Sequence, residues 1–475
     1  MASVQSLQSV QGQVLDVKDS HSEYIELDFL EQYAQGRYPE KITAKLVNQF
    51  LSLNRRSFDQ LDLEPRSHYD GDKVRLSLST ASKIGAVPLW SPVTYKPEFS
   101  LIVKPRFGWN GIGPLLSKTG WRTLPSILQM PQLKISERRV PPWVLSSVVL
   151  RRLEGLIQQL DRRFEMTDRF HRIPKGKVDW GDYARNRIPR GQFLNIHCHY
   201  PELQDNRDLK SMVHFALQKQ KESLETQRNF GTHVMQLIDY CEGLIQQVSD
   251  ATPRRPSKLM IEKMPRQTGL KMQAMDRGLE AIEWTVEEKG LAGLGDLHGL
   301  PWEMSMAELF ESYVESVMER LTRRVGGHLR SARNQETTIP INWQPPIIGS
   351  QRSLKPDVLV DREDTLHIID AKYKDHWEDL NLQGWHQLQE EIRSRHRNDL
   401  LQVLAYASVA EQKEIQCTLM YPCRRETWDS LIERGRHIHS ADITQSERRI
   451  RVQLTAIPFR IDAGEMGHLE AVLRN

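Results

Sequence analysis

Hydrophobic spacing divides the chain into three textures. From about residue 60 to 135, short apolar runs are broken by Gly and Pro. Lys73-Val-Arg-Leu-Ser-Leu-Ser, Ile84-Gly-Ala-Val-Pro-Leu and Leu101-Ile-Val-Lys-Pro-Arg-Phe-Gly-Trp are examples. Such runs predict strands and turns. Upstream, Ile42 to Leu53 fits a helix. From about 145 the period lengthens: Val148, Val149, Leu153, Leu156, Ile157 and Leu160 share one helical face. Val234, Leu237, Ile238, Cys241, Leu244, Ile245 and Val248 define a second helix. Between them, Gly176 to Tyr200 is basic and loop-like, with a strand at Phe193-Leu-Asn-Ile. Two prolines in Asp250 to Ser257 stop any helix there. Beyond 300 the pattern is mixed. A helix is predicted over Met306 to Val325, strands at Asp357 to Val360 and Leu366 to Tyr373, and a helix over Asp399 to Gln412. Further strands fit Ile415 to Tyr421 and Ile450 to Ile457. This order predicts a small central sheet flanked by helices. The expected parts are a β-rich N-terminal module (1–140), a mainly helical middle region (141–295) and a mixed α/β C-terminal domain (296–475).

Composition changes this picture little. There are 65 Lys+Arg against 62 Asp+Glu, a formal net charge of +3. That excludes a polycation binding by bulk charge but leaves room for a local basic channel. The 4 cysteines form no CxxC pair, so neither a disulfide framework nor a zinc ribbon is expected. No segment reads as a signal peptide or a transmembrane span. A soluble cytoplasmic protein with no membrane partner is the expectation.

Candidate chemistry is concentrated in Lys355-Pro-Asp-Val-Leu-Val-Asp-Arg-Glu-Asp-Thr-Leu-His-Ile-Ile-Asp-Ala-Lys-Tyr-Lys374. Asp357 begins one apolar strand, and Asp370 and Lys372 end the next. Side chains alternate along a strand, so 370 and 372 face one side. A hairpin would bring Asp357 beside them. Two converging carboxylates suit a hard ion such as Mg²⁺, and a lysine beside them can hold a water or offset developing negative charge. Acid-x-base triplets recur by chance in a chain so rich in charge. These acids, however, are flanked by Ile368, Ile369, Ala371 and Val358-Leu-Val, the pattern of a buried strand, where charge is costly unless used or paired. Glu311 sits at the edge of an apolar helical stripe and is a candidate third carboxylate. Gln402 and Tyr406, four apart, share one helix face and can steady the lysine or contact a phosphate.

Pro356-Asp357, Asp370-Ala371-Lys372 and the Gln402…Tyr406 pair resemble the PD-(D/E)xK nuclease superfamily. The wider context resembles McrC-type proteins, the nuclease subunits of McrBC-like modification-dependent restriction systems. Leu309-Phe-Glu-Ser-Tyr-Val, Lys355-Pro-Asp-Val-Leu-Val, Ile369-Asp-Ala-Lys-Tyr-Lys, Asp399-Leu-Leu-Gln-Val-Leu-Ala-Tyr-Ala and Cys417-Thr-Leu-Met-Tyr-Pro carry it, with Asn206-Arg-Asp-Leu-Lys210 upstream. The resemblance spans roughly residues 60 to 475; the first 60 match no known pattern. It implies a restriction-endonuclease-like C-terminal domain that cleaves DNA with Mg²⁺, or Mn²⁺ in its place. Asp357 and Asp370, with Glu311, would bind metal; Lys372 would orient or activate water; Gln402 and Tyr406 would support the site. It also implies a partner, a ring of AAA+ subunits hydrolysing a nucleotide, usually GTP, and reading the modified base. The chain has no Walker A loop of its own: Gly113-Pro-Leu-Leu-Ser-Lys-Thr119 lacks the glycine before the lysine. The alternatives are a self-sufficient nuclease of repair or another defence system, and a non-catalytic assembly protein that activates the motor.

Other features are weaker. Arg320, Arg323, Arg324, Arg330 and Arg333, then Arg393, Arg395 and Arg397, then Arg185 to Arg190, could track phosphates. Phe107-Gly-Trp-Asn-Gly-Ile-Gly113 reads as an aromatic loop, either a docking element or a turn with a core tryptophan. His197-Cys-His199 and His437-Ile-His439 have zinc-like alternation, but no further ligand lies near either pair in sequence. Ordinary strand histidines are the expectation.

Overall fold

A computed structural model describes residues 14–20, 22–26, 30, 39–70, 73–131, 133–134, 141–160, 163–204, 207–262, 272–288, 290–291, 298–345, 349–378, 390–445 and 448–474. Contacts divide the chain into two units. One joins residues 1–141 to 291–475; the other is 142–290.

The first unit begins with β1 (Val14–Lys18), β2 (Ser22–Glu26), α1 (Pro39–Gln60), β3 (Leu63–Asp70), β4 (Lys73–Thr80), β5 (Lys83–Trp90) and β6 (Pro97–Lys104). α2 (Trp109–Lys118), β7 (Ser126–Ile127) and β8 (Leu133–Lys134) follow. β2, β4 and β3 form one antiparallel sheet. α1 extends the helix expected over 42–53 at both ends. Its Phe50 and Phe58 meet edge to face at 6.3 Å, and Phe50 meets Phe99 of β6 at the same distance. In the aromatic segment 107–113, Phe107 and Gly108 form a turn and the rest, from Trp109, is helix. Ile112, Leu115 and Leu116 are buried at helical spacing, and the surrounding glycines masked that period.

The second unit holds α3 (Trp143–Ile157), β9 (Arg163–His171), β10 (Lys177–Val178), β11 (Ile196–Gln204), α4 (Arg207–Glu225), α5 (Thr232–Gln247) and α6 (Met272–Val286). It is less purely helical than its sequence suggested, because β10, β11 and β9 form an antiparallel sheet. Ile196, Cys198 and Tyr200 bury one face of β11, with Val178 and Tyr183 against them. The strand starts at Ile196 rather than Phe193; Phe193 and Leu194 are exposed.

Back in the first unit, β12 (Gly290–Leu291), β13 (His298–Leu300) and β14 (Trp302–Ser305) lead into α7 (Met306–Val325). Then come β15 (His328–Ser331), β16 (Ile339–Pro340), β17 (Ser353–Leu354), β18 (Val358–Arg362), β19 (Thr365–Ala371), α8 (Glu390–Ser408), β20 (Glu414–Cys423), α9 (Arg425–Glu433), β21 (Ile438–Gln445) and β22 (Arg448–Pro458). A six-stranded mixed sheet runs β15-β18-β19-β20-β22-β21. All 7 residues of β19 are buried, as suits a strand covered on both faces. α7 forms where its sequence predicts. Ser305 caps it by accepting from the Glu308 N–H at 3.2 Å, and Gly326 ends it at φ 87°. The mixed α/β architecture expected for this part is present. No helix among the described residues is long and apolar enough to cross a membrane.

One feature departs from the expected boundary near 295. β14 pairs with β5 and β7, so a five-stranded sheet, β1-β6-β5-β14-β7, joins the N-terminal module to the segment entering α7. Gly85 on β5 makes that possible. It has φ 158°, and a Cβ there would lie 2.2 Å from the Trp302 carbonyl oxygen. Gly85→Ala should therefore destabilise the chain by about 2 kcal/mol through overpacking against backbone. Urea unfolding of the full chain measures this; a wild-type midpoint would refute the close approach.

Candidate active site

β18 and β19 are antiparallel, with Val358 opposite Ile369. This register carries Asp357, just before β18, to the level of Asp370 and Ala371. Asp357 Oδ2 accepts from the Ala371 N–H at 2.7 Å. The Lys372 N–H donates to the Met420 carbonyl at 2.8 Å, so the ladder to β20 continues past the end of β19. Alternation then places Lys372 on the same side as Asp370, and its Nζ lies 2.5 Å from Asp370 Oδ2. The ammonium also donates to Gln402 Oε1 at 2.8 Å. Gln402 Nε2 donates to the Tyr406 hydroxyl at 2.6 Å, and that hydroxyl reaches the Lys355 carbonyl at 3.4 Å. The i, i+4 pair on α8 thus forms a chain that orients the lysine.

The electrostatics are those of crowded acids. Asp370 is 1% exposed. Burial raises its pKa, and the opposing pull of Lys372 does not cancel the effect. Asp357 is raised by burial first, then by Asp370 and Glu311. Glu311 keeps solvent access at its rim but is also raised, by desolvation first and then by Asp370. Burial works against the Lys372 charge, yet Asp370 foremost, with Asp357 and Asp399, outweighs it and lifts its pKa. Like charges this close disfavour joint ionisation without a cation. The donors are hard carboxylate oxygens, which fits Mg²⁺ or Mn²⁺.

The structure therefore brings Asp357, Asp370, Lys372, Gln402 and Tyr406 together. Glu311 interacts electrostatically with both aspartates. Among the described residues, the one acid, His or Cys trio whose ligand atoms all lie within 4.8 Å of one another is elsewhere.

A second layer escaped the sequence reading. Lys374 Nζ donates to both Asp399 oxygens, at 2.6 and 2.8 Å, and the Tyr421 hydroxyl donates to Asp399 Oδ2 at 3.1 Å. His376 stacks on His396 at 4.4 Å and on Tyr421 at 4.6 Å; burial pushes its pKa down to about 3. The signal was present: Lys374 lies two residues after Lys372, and Asp399 one helical turn before Gln402. From the N-terminal part, Arg106 lies over the Tyr373 ring at 4.2 Å and pairs with Asp375 at 2.8 Å. Phe107 meets Phe459 at 4.5 Å and Tyr373 at 6.1 Å. Phe107 thus packs beside the segment that follows Lys372. Three arginines of the first cluster are paired with acids. Arg330 forms two bonds to Asp361, at 2.9 and 3.1 Å, Arg324 pairs with Glu470 at 2.8 Å, and Arg333 pairs with Glu315 at 3.6 Å. The side chains of Arg393 and Arg395 lie outside the described residues.

Comparison with known proteins bears on the same segment. The family model described as a McrBC 5-methylcytosine restriction system component matches residues 291–422. Among curated proteins, none matches the chain. One similar solved structure is a refined half-complex from a tetradecameric assembly of Thermococcus gammatolerans McrB AAA+ hexamers with bound McrC. It has 13% identity and a TM-score of 0.41, over 97% of this chain and 99% of that one. Another is the cryo-EM structure of the Thermococcus gammatolerans McrBC complex, with 14% identity and a TM-score of 0.27, over 65% of this chain and 88% of that one. These scores are too low to establish a shared fold. The family match covers β18, β19, α8 and most of β20, and so every residue of the site. Over residues 291–422 the chain is similar to the family of McrBC 5-methylcytosine restriction system components.

Proposed function

We propose that this chain is the nuclease subunit of a McrBC-like restriction complex, a Mg²⁺-dependent DNA endonuclease of the PD-(D/E)xK type that acts with a separate AAA+ NTPase. The observation that carries this reading is the convergence of Asp357, Asp370 and Lys372 at the ends of two paired strands, with the lysine held between Asp370 and Gln402. The family match over the same residues supports it. The partner is inferred from two facts. One similar solved structure holds McrB AAA+ hexamers with bound McrC, and the given sequence contains no Walker A loop. Antiviral defence in the cytoplasm is the setting; the four cysteines, all buried and unpaired, suit a reducing compartment.

In this reading Asp357 and Asp370 would hold the cation, with Glu311 as candidate third carboxylate. Bound there, Mg²⁺ supplies Lewis acidity and offsets the phosphodiester charge. Lys372 holds its proton, because three acids surround it. It therefore acts as a donor that orients the attacking water or stabilises charge growing on the phosphate, rather than as a base. Gln402 and Tyr406 fix the direction of that donor, and Asp357 is itself fixed by the Ala371 N–H.

DNA cleavage by the purified chain with the AAA+ partner, nucleotide and Mg²⁺, on methylated and unmethylated substrate, tests this. Asp370→Ala and Lys372→Ala should each lower the rate by at least about a hundredfold while partner NTPase stimulation persists. Cleavage intact in both variants would overturn the assignment. Gln402→Ala leaves the ammonium in place but frees its direction, so a smaller loss, about tenfold, is expected in the same assay. A loss as large as that of Lys372→Ala would contradict an orienting role.

A further inference from the structure

His197-Cys-His199 has no second pair of ligands in sequence, but the fold supplies a third one. β11 pairs antiparallel with β9, and His199 lies directly opposite Asp168. Alternation puts His197 and His199 on the same face of β11, and Asp168 joins that face across the strands. The opposite face carries Cys198 and is the buried core, so the histidines face outward. Asp168 Oδ1 contacts His197 Nε2 and lies 3.6 Å from His199 Nδ1. The ligand atoms of all three residues fall within 4.8 Å of one another. Donors around a tetrahedral Zn²⁺ lie roughly 3.3 Å apart, given bonds of about 2.0–2.1 Å. Small side-chain rotations therefore separate this trio from a ligand set.

We propose that Asp168, His197 and His199 form a Zn²⁺ site on the outer face of the β9–β11 sheet, with the remaining position open to water. The backbone favours it. Two ligands come from one strand at a spacing of two and the third from the register partner, so little chain entropy is lost on binding. The surroundings hold the rings in place. Phe170 stacks on His197 at 4.7 Å, and Arg187 covers Phe170 at 4.5 Å. Two imidazoles and one carboxylate favour Zn²⁺ over Mg²⁺, which sets this site apart from the all-carboxylate cluster at Asp357 and Asp370. A metal here would clamp β9 to β11 at the base of the segment 172–195, which displays Ile173, Trp180, Phe193 and Leu194 to solvent.

The test is Zn²⁺ titration of the full chain in excess Mg²⁺, which occupies the acidic cluster, followed by metal analysis after desalting. Wild type should retain one equivalent, and His197→Ala/His199→Ala should retain none, with far-UV circular dichroism confirming its fold. Asp168→Asn replaces an exposed carboxylate without changing its shape. It should weaken binding by about tenfold or more. Co²⁺ should give a visible absorption band in wild type that the double variant lacks. No retained Zn²⁺ in folded wild type, equal retention in the folded double variant, or unchanged affinity in Asp168→Asn would each overturn the proposal.

Discussion

The Lys372 ammonium is the charge around which the C-terminal domain is organised. It is in contact with a buried aspartate, Asp370, whose charge in turn raises the pKa of both Asp357 and Glu311. Ionised carboxylates in such a place cost several kcal/mol unless paired. The apolar strands that create the cost also fix the geometry. Burial of β19 on both faces forbids a register slip, because a shift of one residue would send Asp370 and Lys372 to the opposite face. The acids remain crowded even with the lysine present, and that residual repulsion is the physical reason to expect a divalent cation there.

The N-terminal part is built into the same unit. Gly85 lets β14 approach β5, and the strand so placed leads directly into the helix bearing Glu311. Arg106 and Phe107 grip Tyr373, one residue after Lys372. Phe310, next to Glu311, meets Tyr373 at 6.1 Å and Phe459 at the same distance. The rings of one aromatic cluster thus connect four stretches of chain that are far apart in sequence. Changes in the N-terminal sheet can reach the site through this packing without touching it.

What was legible in sequence followed from local rules. The helix over Met306 to Val325 showed its apolar period, and it forms over those residues. Asp357, Asp370 and Lys372 stood out because charge interrupted otherwise apolar strands. Gln402 and Tyr406 followed from helical spacing. The missed features depend on pairings that no local window contains. The β14–β5 ladder joins residues more than two hundred apart. The helix at Trp109 was hidden by two glycines, and Lys374 with Asp399 was not singled out although each lies one structural repeat from a predicted site residue. Asp168 could not be tied to His199 without the β9–β11 register. Glu311 was found by its position on a helical stripe, and its charge does interact with both aspartates.

The central claim is that the carboxylate cluster is strained until a divalent cation joins it. The most direct measurement is the unfolding temperature of the full chain with and without Mg²⁺, for wild type and Asp357→Asn. Asn removes one repelling charge and can still accept from the Ala371 N–H. Mg²⁺ should raise the wild-type midpoint. Asp357→Asn should be more stable than wild type in the absence of Mg²⁺ and gain little from adding it. A wild type indifferent to Mg²⁺, or an Asp357→Asn chain less stable than metal-free wild type, would contradict the account.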